Sequence, residues 1–114
     1  LRVKKAQIYL KTIRNKLIIL PNIKKNSLPV WHQFIILCKK RNLLKKILEK
    51  NGYPTRIIYP IPPHKQDAYK ECSKLKLPIT ETIHRENLAL PIERHHKIKD
   101  LKKIVILLNK FDGK

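Results

Sequence analysis

The sequence predicts a small α/β fold of the α+β kind: a small, mostly antiparallel sheet with helices packed on one face. Helical and strand-like periodicities alternate along the chain, which mixes the two element types in one unit. The strand-like segments are too few for a doubly wound sheet. The 114 residues, 42% of them hydrophobic, suffice for a single modest core.

Residues 1–14 open the chain as an amphipathic helix, with Val3, Ala6, Leu10 and Ile13 at helical spacing and basic residues between them. Leu17–Leu20 is a short apolar run stopped by Pro21, and a polar loop follows. Val30–Cys38 (VWHQFIILC) is the best strand, and its apolar second half suits an inner position. Leu43, Leu44, Ile47 and Leu48 form one face of a second helix, which Asn51-Gly52 terminates. Thr55–Tyr59 reads as another strand, broken by Pro60, Pro62 and Pro63. Lys65–Cys72 fits a short helix, Pro78 opens another, and Leu88–Leu90 is extended. The last helix, Lys97–Lys110, turns Ile98, Leu101, Ile104, Val105 and Leu108 to one side.

A net charge of +19 invites a nucleic-acid reading. The distribution argues against it. Lys outnumbers Arg 21 to 6, whereas bidentate gripping of phosphates and bases favours Arg. The lysines are spread along the whole chain in pairs such as Lys24-Lys25 and Lys102-Lys103, without forming one basic block. No apolar run approaches the ~20 residues of a membrane span, and no leader-like segment opens the chain. Cys38 and Cys72 have no metal-binding spacing and fit a reducing cytoplasm. The sequence begins at Leu1 and holds no Met, which we read as a piece of a longer protein.

No complete catalytic constellation is visible: there is no phosphate-binding glycine loop, HExxH or nucleophile elbow. In His95-His96 adjacent side chains point apart, and Asp100 alone lies at i+3 or i+4 from them, so no metal is expected. Two segments stand out. In Tyr59–Gln66 three prolines in four positions make a rigid turn, bracketed by Tyr59, His64, Lys65 and Gln66. It suits ligand contact as well as it suits a structural crossover. Trp31-His32 heads the first strand, with the Trp expected at the edge of the core and the His half-exposed.

These segments, in this order, resemble the sugar aminotransferases of the StrS/DegT group. Arg2, Ala6 and Tyr9 fit an opening R-x-x-x-A-x-x-Y helix; Val30, Trp31, His32, Phe34 and Ile36 fit a VWHxFxI strand. Arg41, Leu44, Leu48, Gly52 and Thr55 continue the pattern. The YPIPPHKQxAY signature spans Tyr59–Tyr69, and an LPITExIHxExLxLPI segment runs from Leu77 to Ile92. The match is closest to the subgroup that makes 3-amino sugars on a dTDP carrier.

The resemblance implies that residues 1–114 are the C-terminal small domain of a dimeric, fold-type-I enzyme that uses pyridoxal phosphate. Such an enzyme moves an amino group, usually from glutamate, to a keto sugar nucleotide in surface-polysaccharide synthesis. The cofactor and its lysine belong to a large N-terminal domain absent here, so no catalytic or cofactor-binding residue is assigned and the piece is expected to be inactive alone. Substrate contacts are expected from Tyr59, His64, His32 and Lys65. Where the family often has His before the signature Tyr, this chain has Ile58, which removes a polar contact. Two rival readings are a basic nucleic-acid-binding module and a remnant without function, the latter leaving apolar surface exposed, with the first-helix stripe as its candidate.

Overall fold

The computed structural model describes residues 1–114. Its order is α1 (Arg2–Thr12), β1 (Phe34–Leu37), α2 (Arg41–Lys50), α3 (Pro78–Glu86), β2 (Asn87–Leu90) and α4 (Ile98–Lys110). Between α2 and α3 lie two 3-10 turns, Pro63–Lys65 and Asp67–Cys72. No helix is long and apolar enough to cross a membrane.

β1 and β2 pair antiparallel, with Phe34 opposite Leu90 and Leu37 opposite Asn87. Single bridges flank this pair, Ile19 to Leu37 on one side and Arg56 to Ala89 on the other. β1 is therefore an inner strand, as its apolar run predicts. Both predicted strands are shorter than their β-branched composition suggests, and the backbone shows why. Trp31 and Tyr59 have φ of 53° and 50°, in the left-handed region that interrupts an extended chain. The first strand cannot begin before this reversal, and the Thr55–Tyr59 segment is reduced to the bridge at Arg56. The predicted Lys65–Cys72 helix is instead 3-10 backbone, kinked at Tyr69 (φ −126°, ψ 46°).

Phe34 and Ile36 turn inward from β1 and are fully buried. Phe34 packs its ring against Tyr9 of α1 and against Trp31, with centroids 5.0 and 5.1 Å apart. Trp31 is 8% exposed, at the edge of the core as expected. α4 contributes Leu101, Ile104, Val105 and Leu108, and α2 contributes Leu44 and Leu48. Ile98, assigned to the α4 stripe from the sequence, is exposed in the first turn. On α1 the buried face is Ala6, Tyr9 and Ile13, while Val3 is exposed and Leu10 only partly covered. The α1 stripe is thus spent inside this chain.

The C-terminal ends of α1, α2 and α4 each find partners. Gly52 (φ 81°) follows α2 in a Schellman arrangement: its N–H donates to Glu49 and that of Tyr53 to Leu48, at 2.9 and 3.0 Å. Asn15 Nδ2 donates to the carbonyls of Leu108 and Phe111 at the end of α4. Asn109 returns the favour to the end of α1, accepting from Arg14 N–H and donating to Thr12 O. Cys38 is a buried core residue just past β1, and burial pushes its thiol pKa up, which makes it a poor nucleophile.

Candidate functional site

The site is built on the Pro-rich turn, and α3 with β2 holds that turn in place. Asn87, 3% exposed at the start of β2, clamps the strand-like segment before it. Its Oδ1 accepts from Ile58 N–H at 2.8 Å, and its Nδ2 donates to Ile58 O at 3.0 Å. One residue further on, the Nδ1–H of His84 donates to the Tyr59 carbonyl. His64, 5% exposed, donates from Nε2 to Oε1 of Glu81 at 3.0 Å. That bond, together with one from Leu77 N–H, holds the Glu81 carboxyl below its ordinary pKa. Lys65 Nζ reaches the carbonyls of Ser73 and Leu75 at 2.6 and 3.1 Å, and Gln66 Nε2 donates to Ile61 O at 3.0 Å.

The four residues expected to touch a ligand therefore divide. His64 is buried against Glu81, and Lys65, although exposed, spends its ammonium on the carbonyls of Ser73 and Leu75. Tyr59 and His32 remain open, and the fold brings them together: with Gln33, Ile57, Ile58 and Pro60 they line a groove of about 520 Å³. Tyr59 presents its phenol at 70% exposure from a left-handed backbone. A bulky residue in that conformation is strained, and strain of this kind collects where a side chain is held for use. Phenol and imidazole can each donate and accept hydrogen bonds, and neither has a partner acting as base or nucleophile here. The groove is suited to binding polar ligand oxygens.

Reasoning from the sequence missed Asn87, His84 and Glu81 as the supports of this groove. A polar Asn heading an apolar strand was the one available signal. A second cleft, of about 360 Å³, shares His32 and Gln33 with the groove and extends toward Thr55, Arg56 and residues 89–93, 95 and 96. His95 and His96 pack ring to ring there, with centroids 4.1 Å apart.

A family model, the DegT/DnrJ/EryC1/StrS aminotransferase family, matches residues 2–109. Over 106 residues the chain is 37% identical to dTDP-3-amino-3,6-dideoxy-alpha-D-galactopyranose transaminase of Aneurinibacillus thermoaerophilus, covering 93% of this chain and 29% of that protein. It is 30% identical to UDP-2-acetamido-2-deoxy-3-oxo-D-glucuronate aminotransferase of Pseudomonas aeruginosa, over 95% of this chain and 30% of the relative. Among solved structures, a DegT DnrJ EryC1 StrS aminotransferase from Brucella abortus superposes with a TM-score of 0.86 at 30% identity, over 99% of this chain and 31% of that one. S. venezuelae DesV, solved in complex with a ketimine intermediate, gives 0.85 at 29% identity, over 95% of this chain and 30% of its own. The chain thus spans less than a third of the length of these relatives.

Proposed function

Because the chain belongs to the DegT/DnrJ/EryC1/StrS aminotransferase family, we propose that it is the C-terminal small domain of a transaminase acting on a keto sugar nucleotide. The amino donor in this reading is an amino acid, glutamate by preference, and the product feeds surface-polysaccharide synthesis in the cytoplasm. The observation that carries the reading is the match of nearly the whole chain to under a third of its transaminase relatives. The relatives named as acting on dTDP- and UDP-linked sugars favour a sugar-nucleotide substrate. In this reading the open Tyr59–His32 groove hydrogen-bonds sugar or phosphate oxygens. α3 keeps the groove in shape through His84 and Glu81, and β2 through Asn87. His64 and Lys65 serve it as positioning residues through the hydrogen bonds described above.

The family's cofactor, pyridoxal phosphate, supplies the electron sink for amino transfer when bound. A site for it needs a lysine able to reach its aldehyde carbon, a carboxylate facing its ring nitrogen and donors around its phosphate. Lys5 is the one fully buried lysine, and its Nζ is committed to the carbonyls of Glu93 and Arg94. Lys16, Lys39 and Lys40 line another cleft but lie exposed on its rim. The residues present do not form that set, so no step is assigned to the cofactor on this chain. In the proposed enzyme a large domain brings it, and two copies of the enzyme share their active sites at a dimer interface. The many exposed apolar side chains between residues 59 and 83, such as Ile61, Tyr69, Leu75, Ile79 and Ile83, suit a surface that another domain covers.

The test is to read the coding DNA upstream of Leu1 and to express this chain alone and joined to whatever in-frame domain precedes it. With pyridoxal phosphate, glutamate and a dTDP-linked keto sugar, the joined protein should form the amino sugar and the 114-residue chain should not. Stop codons or unrelated sequence upstream would overturn the reading, as would a joined protein inert toward every keto sugar nucleotide.

A further inference from the structure

The sequence spreads its lysines along the whole chain, and the fold gathers a set of them on one face. α4 lies between α1 and α2. Asn109 of α4 is bonded to the end of α1, while Leu107 shares a shallow recess with Asn51 and Tyr53 just past α2. Residues two apart on a helix point about 160° away from each other, so the flanking helices sit on opposite sides of α4. All three turn their apolar sides into one core, which also holds Phe34 and Ile36. Their opposite sides therefore form a single outer layer.

That layer is basic and lacks counter-charge. On α4, Lys99, Lys102, Lys103 and Lys110 share the side opposite the buried Leu101, Ile104 and Leu108. Lys4 and Lys11 stand opposite the buried side of α1, and Lys46 and Lys50 opposite that of α2. All of these lysines are exposed, and none belongs to an ion pair. α1 has no carboxylate, Glu49 of α2 is spent on Lys45, and Asp100 of α4 accepts from Lys97 N–H. Most other carboxylates, such as Asp67, Glu71, Glu81 and Glu93, lie on the segment between α2 and α4. Like charges gathered on one face repel each other, and a partner of opposite sign relieves that repulsion.

Two features select the kind of partner. Neither arginine of these helices joins the face. Arg41 is buried, its guanidinium bonded to the carbonyls of His84 and Asn87, and Arg2 lines the cleft beside His32. Base reading and bidentate phosphate gripping therefore have no fork to use. Ile106 stands in the middle of the α4 stripe, 52% exposed. An isoleucine among lysines adds nothing toward a solvated polyanion. In a bilayer it enters the headgroup zone while the lysine stems lie along it and their ammonium groups meet lipid phosphates. We propose that the outer face of α1, α4 and α2 rests on an anionic lipid surface, held by its lysines with Ile106 at the centre. The contact is peripheral, in keeping with helices too short and polar to span. It does not depend on the transaminase reading.

The test sediments the 114-residue chain with vesicles of phosphatidylcholine alone and of phosphatidylcholine with about a third phosphatidylserine. The chain should pellet with the mixed vesicles, stay in solution with the neutral ones, and be released as salt rises toward about 1 M. Lys102→Gln combined with Lys103→Gln should weaken binding about 25-fold, about fivefold for each charge. Lys70→Gln combined with Lys74→Gln removes the same charge outside the three-helix layer and should weaken it less than about threefold. All four lysines are exposed, so these variants keep the fold. Ile106→Ser should weaken vesicle binding severalfold and leave the affinity for a DNA duplex unchanged. Equal pelleting with neutral vesicles would overturn the proposal, as would equal losses in the two double variants or an Ile106→Ser chain that binds vesicles like the wild type. A DNA duplex that binds more tightly than mixed vesicles of equal phosphate content would also overturn it, in favour of a nucleic-acid partner.

Discussion

Nε2 of His64 lies 3.0 Å from Oε1 of Glu81, so the Pro-rich turn is fastened to α3 across seventeen residues of sequence. Glu81→Gln removes the charge and Glu81→Ala the acceptor. Both should raise amide exchange across residues 59–66, the Ala variant more. The wild-type link also has a pH signature. The Glu81 carboxyl is held below its ordinary pKa, first by the His64 hydrogen bond and then by Leu77 N–H. A depressed carboxyl contributes stability above its unfolded pKa of about 4.3, and the contribution is lost as pH falls through the folded value. Protection of the turn should therefore decline below about pH 4 in the wild type. Glu81→Gln should not show that decline; an identical profile in both chains would place the support elsewhere.

Asn87 makes a sharper case because it is buried and fully used. Its side chain bonds Ile58 twice and also reaches Ile83 O at 3.0 Å. Asn87→Ala leaves the Ile58 N–H and C=O without partners beside β2. The cost should be about 1–3 kcal/mol, the range for buried groups left unsatisfied. Asn87→Asp keeps the acceptor but sets a carboxylate oxygen against the carbonyls of Ile58 and Ile83 in a buried place, so it should cost at least as much as the Ala variant at neutral pH. Denaturant midpoints of the three chains check the order.

The four α-helices were legible in the sequence, while the 3-10 character of residues 65–72 and the supporting network were not. α2 and α4 follow from local periodicity, and the end of α2 at Asn51-Gly52 follows from local backbone preference. The strand ends depend on left-handed backbone at Trp31 and Tyr59, which no local pattern announces, since aromatic residues rarely adopt it. The same holds for the site. Sequence shows that Tyr59, His64, Lys65 and Gln66 bracket a rigid turn. It does not show that α3 and residues 73–75 come alongside and engage His64 and Lys65, because those partners are eight to seventeen residues away. Likewise, the α1 stripe is correct in period but rotated, because Tyr9 rather than Leu10 reaches Phe34.

Tyr9 offers an alkaline counterpart to Glu81. It is fully buried, and its hydroxyl donates to the carbonyl of Pro91 at 2.7 Å. Burial first, and the negative charge of Glu93 second, push its pKa well above the ordinary phenol value. A raised acid keeps its proton in the folded chain while the unfolded chain releases it. Stability is complete below the unfolded pKa of about 10 and falls as pH rises beyond it. Tyr9→Phe should cost about 1–2 kcal/mol at neutral pH, since Pro91 O loses its donor, and should flatten the fall above about pH 10. Thermal melts from pH 7 to 11 compare the two chains; an unchanged alkaline slope in the variant would assign it to another group.

Tyr59 tests whether backbone strain and ligand binding are linked. Its φ of 50° is unfavourable for a tyrosine and free for a glycine. Its side chain is 70% exposed, so little packing is lost on removing it. Tyr59→Gly relieves about 1–2 kcal/mol of left-handed strain and gives back about 0.5–1 kcal/mol in chain entropy. The variant should be as stable as the wild type or up to about 1 kcal/mol more stable. Under the proposed function its affinity for a dTDP-linked sugar should nevertheless fall about tenfold, and Tyr59→Phe should fall by less, because it keeps the ring and loses only the hydroxyl. A thermal melt paired with a sugar-nucleotide titration reads both quantities on the same samples. Higher stability with weaker binding means that the fold holds Tyr59 in this conformation for its ligand. Lower stability with unchanged binding means that the phenol packs the turn and that the groove recognises its ligand without it.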